Sequence, residues 1–194
     1  MSLAKYAGVS LIAMSASMGH AGGMEATALS AGFMFEDGSY GSVSVQSQSP
    51  SVKAKTAAGV SVTSGSLIGS VSSTNLKAKM DVLDNMSVGI TYYRQAGIKL
   101  DYQTNWSAPL PLPPKTVMPK VDLDVSALAV LVKYDFNESF SALAGIKNGT
   151  ASDATVLIPI VVAVNATATG KSALSYIAGA AYEIPELALR AELM

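Results

Sequence analysis

The chain has 194 residues, of which 14% are charged, and a formal net charge of −1. That balance supplies no basic surface for nucleic acid or an anionic membrane face, and the absence of cysteine excludes a disulfide-stapled scaffold. Mean hydropathy is positive, yet no run reaches the roughly 18 apolar residues that a membrane helix needs; the longest, VLIPIVVAV at 156–164, is interrupted by Pro159.

The chain opens with MSLAKYAGVSLIAMSASMGHAGG, which has one Lys, a short apolar centre and small residues around Gly19-His20-Ala21. This is the pattern of a secretory signal peptide, with residues 1–21 as the leader and cleavage expected after Ala21. Cleavage removes Lys5 and the only histidine, and leaves 12 basic residues against 14 acidic ones.

Beyond the leader the apolar period is two rather than 3.6. YGSVSVQSQS at 40–49 is a weak first strand. In 76–82, Leu76, Ala78, Met80 and Val82 share one face, and Lys77, Lys79 and Asp81 take the other. In 86–95, Met86, Val88, Ile90 and Tyr92 oppose Ser87, Gly89, Thr91 and Tyr93. The segment 121–134 is long enough for a strand, although its apolar phase blurs after Asp124. In 139–148, Phe140, Ala142, Ala144 and Ile146 oppose Ser139, Ser141, Gly145 and Lys147, with Leu143 out of phase. In 173–183, Leu174, Tyr176, Ala178, Ala180 and Tyr182 oppose Ser175, Gly179 and Glu183. The last run sets Leu187, Leu189, Ala191 and Leu193 against Arg190 and Glu192.

Tight turns with Asp, Asn or Pro fall at Leu83-Asp84-Asn85, at 135–138 and at Ile184-Pro185-Glu186. Long links run through 50–71, 96–120 and 149–171, so short turns mark one end of the strands and long loops the other. A soluble β-sandwich also shows alternating strands. Three features favour a membrane barrel: charged residues on one strand face, apolar faces about as long as a tilted bilayer span, and export without cysteine. In lipid only helices or closed barrels satisfy every backbone group.

Four collinear segments then carry a family resemblance: GFMFEDGSYGSVSVQSQSPSVKA, MDVLDNMSVGITYYRQAG, VLVKYDFNESFSALAGIK and YIAGAAYEIPELALRAEL. Over 22–194 the chain resembles the FadL/TodX family of outer-membrane transporters of long-chain fatty acids and other hydrophobic compounds. The resemblance implies an all-β, antiparallel transmembrane barrel of fourteen strands in the bacterial outer membrane. Seven of them are expected here, over 39–194, behind a short N-terminal plug at 22–38. The family's Asn-Pro-Ala plug element is missing, and so is the terminal aromatic residue usual in outer-membrane proteins. An odd strand count leads to the expectation of an N-terminal half that stops within its seventh strand; the alternative is a seven-strand chain whose edges pair with a second chain.

The implied transport is passive. Extracellular loops capture the ligand, the N-terminus blocks the interior and lines an inner pocket, and the ligand leaves sideways through the wall. On this chain the loop positions are Trp106, Leu110, Leu112, Val117 and Met118, then Val156, Leu157, Ile158, Ile160 and Val161. Exposed apolar loops of this kind mark a binding surface, or else they pack on one another. The inner positions are Leu29, Phe33 and Phe35. A carboxylate inside a barrel requires a basic partner, for which Lys77, Lys79, Arg94 and Arg190 are inward candidates; Arg190 is also placed to pair with Glu183 or Glu192. Gly89 and Gly97 are candidates for a strand kink. Tyr92, Tyr93, Tyr102, Trp106, Tyr134, Tyr176 and Tyr182 fit interfacial girdles.

Barrel enzymes use His as a base or in a catalytic pair. The processed chain has no His, no Cys and no Gly-x-Ser-x-Gly elbow, so no enzyme activity is expected. Asp122 and Asp124 are neighbours on one face but lack further metal ligands, and no cofactor is expected. A nonspecific porin or a structural barrel is the alternative reading; it needs neither greasy loops nor a plug.

Overall fold

The computed structural model describes residues 24–56, 61–102, 106–107, 119–158, 164–184 and 189–194, so the expected leader at 1–21 lies outside the described residues. The strands are β1 (Met24–Ala26), β2 (Tyr40–Gln48), β3 (Val71–Leu83), β4 (Met86–Asp101), β5 (Lys120–Asp135), β6 (Phe140–Ala151), β7 (Ala154–Ile158), β8 (Val164–Ala168), β9 (Ser172–Ile184) and β10 (Leu189–Leu193). All ten join one sheet, whose main path runs β10-β9-β6-β5-β4-β3-β2. Every neighbour on that path is antiparallel, and the sheet curls into a half-barrel. The seven segments that the sequence marks as strands are the seven strands of this path. No helix among the described residues is long and apolar enough to cross a membrane.

The path is a meander because its turns are local. Asp84-Asn85 joins β3 to β4. At the β5–β6 turn the Asn137 side-chain carbonyl accepts from the Ser139 and Phe140 amides, both at 2.9 Å; a short amide side chain thus supplies the acceptors that the turn backbone lacks. The long links lie at the opposite end. The link at 149–171 is less irregular than its composition suggests. β6 runs on to Ala151, and β7 and β8 form a hairpin that pairs with the end of β5 through Val121 and Val156.

Strand alternation divides the sheet into two faces. Leu76, Met80, Ile90, Leu128, Val130, Ile146 and Leu174 all lie exposed on the convex side. Residues of the opposite parity, Lys79, Ser87, Thr91, Ala129, Leu131, Ser141 and Ala181, are buried on the concave side. At the short-turn end an aromatic row stands on the convex face. Tyr134 meets Phe136 edge-on at 5.1 Å, and Phe140 meets Tyr182 at 4.8 Å. Tyr134 and Tyr182 of the expected aromatic set thus lie on one face at one end of the sheet, joined by Phe136 and Phe140, which the sequence reading omitted. Tyr93 does not belong with them: its odd position turns it to the concave face, 5% exposed.

The core fills the concave face. Ala31, Phe33 and Met34 pack against Leu131, Leu143 and Ala181, with Leu29, Phe35, Tyr40 and Ile177 at the margin. Leu143 breaks the polar pattern of its face because it lies beneath this segment. β5 is apolar on both sides, which explains its blurred phase: Leu128, Val130 and Val132 face out, Ala127, Ala129 and Leu131 are buried on the concave side, and Leu131 packs against the N-terminal residues.

Candidate functional site

The candidate site is the concave face and the N-terminal segment seated on it. Gly32–Phe35 forms a 3-10 turn closed by the Met34 amide donating to the Ala31 carbonyl at 2.8 Å. Phe33 and Met34 point into the sheet, where burial contributes about 1.5–3 kcal/mol for each side chain. Room for them comes from Gly89, since a Cβ there would collide with Met34 Sδ and lie 2.7 Å from Phe33 Cε2. The segment leaves through Gly38, whose φ of 64° belongs to the left-handed region that favours glycine.

Lys79 fastens that exit. Its ammonium donates to the Glu36 and Gly38 carbonyls at 2.6 and 3.0 Å and pairs with Asp81 at 2.6 Å. Ser87 Oγ completes the group by donating to Asp81 at 2.7 Å. A buried ammonium is costly unless its donors are used; here two carbonyls and a carboxylate use them. Lys79 is therefore committed to holding the segment and is not a free ligand partner.

The other basic candidates differ. Lys77 places its ammonium 5.9 Å from the centre of the Phe33 ring. Arg190 lies 4.2 Å from the Phe35 ring centre and 3.9 Å from Glu192, directly opposite Glu183 on β9. Lys133, which the sequence reading did not single out, stands 4.9 Å from the same ring and pairs with Asp135 at 3.0 Å. Phe35 is thus held between two cations, each contact contributing about 0.5–2 kcal/mol according to its exposure. The odd position of Lys133 on β5 was the available signal, hidden by the apolar residues on both faces before it.

Arg94 is buried but does not point inward: opposite Ser126, it lies on the face of Tyr92 and Leu128 and pairs there through Nε with Asp124 at 2.6 Å. It stands beside a bulge in β4, where the register against β5 shifts between Arg94 and Ala96. The kink therefore sits at Gln95 and at neither glycine. Gly97 makes room for the Arg94 guanidinium, which a Cβ there would strike. Asp122 and Asp124 do not form a joint site, because Asp122 turns to Lys99 at 3.9 Å. No acidic or histidine cluster suited to a metal occurs among the described residues.

The bulge marks a change in the wall. The β3–β4 ladder ends at Leu76 and Tyr92, although β3 continues to Val71 and β4 to Asp101. Beyond it the freed edge of β4 takes β1, with Met24 opposite Ile98 and Ala26 opposite Ala96. The Thr27 amide donates to the Gln95 carbonyl at 2.7 Å. Farther out, Gly69 donates to the Lys99 carbonyl at 3.1 Å, and Asp101 to that of Leu67 at 2.8 Å. Near this parting the Tyr93 hydroxyl is buried and has no hydrogen-bond partner among the described residues.

Of the loop positions, Trp106 is half-buried, donates to the Tyr102 carbonyl at 3.1 Å and bridges to Ser64 of the first long link. Val156, Leu157 and Ile158 lie in β7. Leu110, Leu112, Val117, Met118, Ile160 and Val161 lie outside the described residues. The two long links meet at Ser64 and Trp106, and the first of them buries Val62, Leu67 and Ile68. At this point the loops pack on one another. No protein-family model matches the chain, and no curated protein or solved structure matches it either.

Proposed function

We propose that this chain forms part of an outer-membrane β-barrel, of about fourteen strands when closed, that carries long-chain fatty acids or similar hydrophobic compounds passively across the bacterial outer membrane. The observation that carries the reading is the opposition of the two faces: exposed aliphatic and aromatic residues on the convex side, and a mixed concave side on which the N-terminal segment is seated. A convex face of that kind suits acyl tails, and a curled sheet satisfies its backbone groups in lipid only when closed.

The N-terminal segment acts as the plug, held by Lys79 and by the two cations around Phe35. Lys77, Lys133, Arg190 and the Tyr93 hydroxyl are the groups to which a ligand carboxylate turns, since charge-assisted hydrogen bonds are the strong ones. The loop residues from Trp106 to Met118, and from Val156 to Val161, capture the ligand first. The parting of β3 and β4 is the way out through the wall, and β1 covers it.

The test uses the full gene product carrying this chain, in a host deficient in fatty-acid uptake. Labelled oleate is bound and taken up, and planar bilayers show little steady conductance; a large steady pore without oleate binding means a porin instead. A cross-link between β1 and β4 sharpens the test, because residues 1–194 contain no cysteine and any elsewhere in the gene product is first replaced by Ser. Ala26→Cys with Ala96→Cys, when oxidised, stops uptake and leaves binding intact; unchanged uptake excludes this exit.

A further inference from the structure

We propose that a groove on the convex face, across β2 to β5, receives the acyl chain of the transported compound as it leaves the wall, an inference that rests on the function proposed above.

The groove is a consequence of register. One cross-strand row on the convex face reads Val43, Leu76, Tyr92, Leu128, and the next reads Gly41, Ala78, Ile90, Val130. The second row therefore begins with two small residues, Gly41 and Ala78, side by side on β2 and β3. They form a floor, and Val43, Leu76, Tyr92 and Leu128 rise around it. The depression holds about 400 Å³. No atom lies within 4 Å of the place a Cβ on Gly41 would occupy, so the floor is open to the outside.

Three observations identify the occupant. Besides its apolar residues and the Tyr92 phenol, the lining includes Ser42 and Lys77, but these two face each other on the opposite side of the sheet, where Lys77 directs its ammonium to Phe33. With no charged partner in it, the groove suits a chain and not a headgroup. Its volume is at the lower end of small-molecule pockets, roughly 300–1,000 Å³, which fits one flexible chain and is small for a protein segment. Finally, Leu76 and Tyr92, on its wall, are the last rung of the β3–β4 ladder. A chain passing between these strands meets the groove immediately outside. Proximity to that parting favours the transported compound over a bulk phospholipid, which has no reason to prefer this rung.

Filling the groove tests the inference. In the full gene product, Gly41→Leu places a side chain in open space and should lower the initial rate of labelled-oleate uptake several-fold, with oleate binding in detergent unchanged. A second variant, Val43→Cys carrying a bimane label, gives a readout independent of uptake. Brominated oleate supplied from outside should quench it, and the oxidised Ala26→Cys, Ala96→Cys cross-link should abolish that quenching. Normal uptake by a folded Gly41→Leu protein overturns the groove alone. Quenching by brominated phosphatidylcholine that is indifferent to oleate and to the cross-link makes the groove an ordinary lipid contact and overturns it too. Failure of the unmodified protein to bind or take up oleate overturns the transport reading itself, and this one with it.

Discussion

The two halves of β4 belong to one strand but have different kinds of neighbour. From Met86 to Tyr92 it is paired on both sides by long strands, β3 and β5, joined to it by a short turn or by continuous register. From Ala96 to Asp101 it keeps β5 on one side only. Its other edge is covered by three residues of β1 and by the link around Leu67–Gly69, both remote in sequence. The first half is held by a ladder that cannot open without unzipping a hairpin. The second is held by short segments with few rungs, and such segments open first. The long ladder and the thinly covered edge thus meet at one bulge, at Gln95.

Substitutions along β4 separate these halves and faces. The largest loss is expected for Ile90→Arg on the convex face of the first half, where a charge facing the middle of the bilayer costs about 2–4 kcal/mol; urea unfolding in lipid vesicles measures it, and a loss near zero would mean that the face does not meet lipid. One residue away on the concave face, Gly89→Val forces Phe33 and Met34 off the sheet, an overpacking cost of about 1–3 kcal/mol. Its distinguishing sign is protease cleavage near the N-terminal turn while the sheet stays folded. At the bulge, Arg94→Met removes the ion pair with the half-exposed Asp124, for a loss of about 1 kcal/mol after solvent screening. In the second half, Lys99→Ala breaks a long, exposed pair with Asp122 and should change stability by less than about 0.5 kcal/mol.

What was legible in the sequence follows the same division. Alternation at period two marked six of the seven strands of the main path, 40–49 weakly, while β5 was read from its length; it also assigned Lys77, Lys79 and Asp81 to the face opposite Leu76, Ala78 and Met80, because side-chain direction in a strand is a local property. Phe33 and Phe35 were singled out as inward residues, and both belong to the turn on the concave face. Contacts made by remote segments were not legible. β4 continues past residue 95 because β1 and the first link supply its edge, and nothing near Ala96 announces them. Leu131, on the concave face of β5, records a partner a hundred residues earlier. Gly89 and Gly97 read as kink sites, since an isolated strand does not show which side chain will need the missing Cβ.

The central claim is that the two faces of the sheet meet different surroundings, and β5 tests it most directly because residues 128–132 are apolar on both faces. Single cysteines introduced at each position from Leu128 to Lys133 of the full protein in lipid vesicles, each carrying a spin label, would be read for oxygen and for aqueous quencher. Labels at Leu128, Val130 and Val132 should show the high oxygen accessibility of acyl tails, and labels at Ala129, Leu131 and Lys133 should not. Equal accessibility along the strand, or the opposite alternation, would contradict the account.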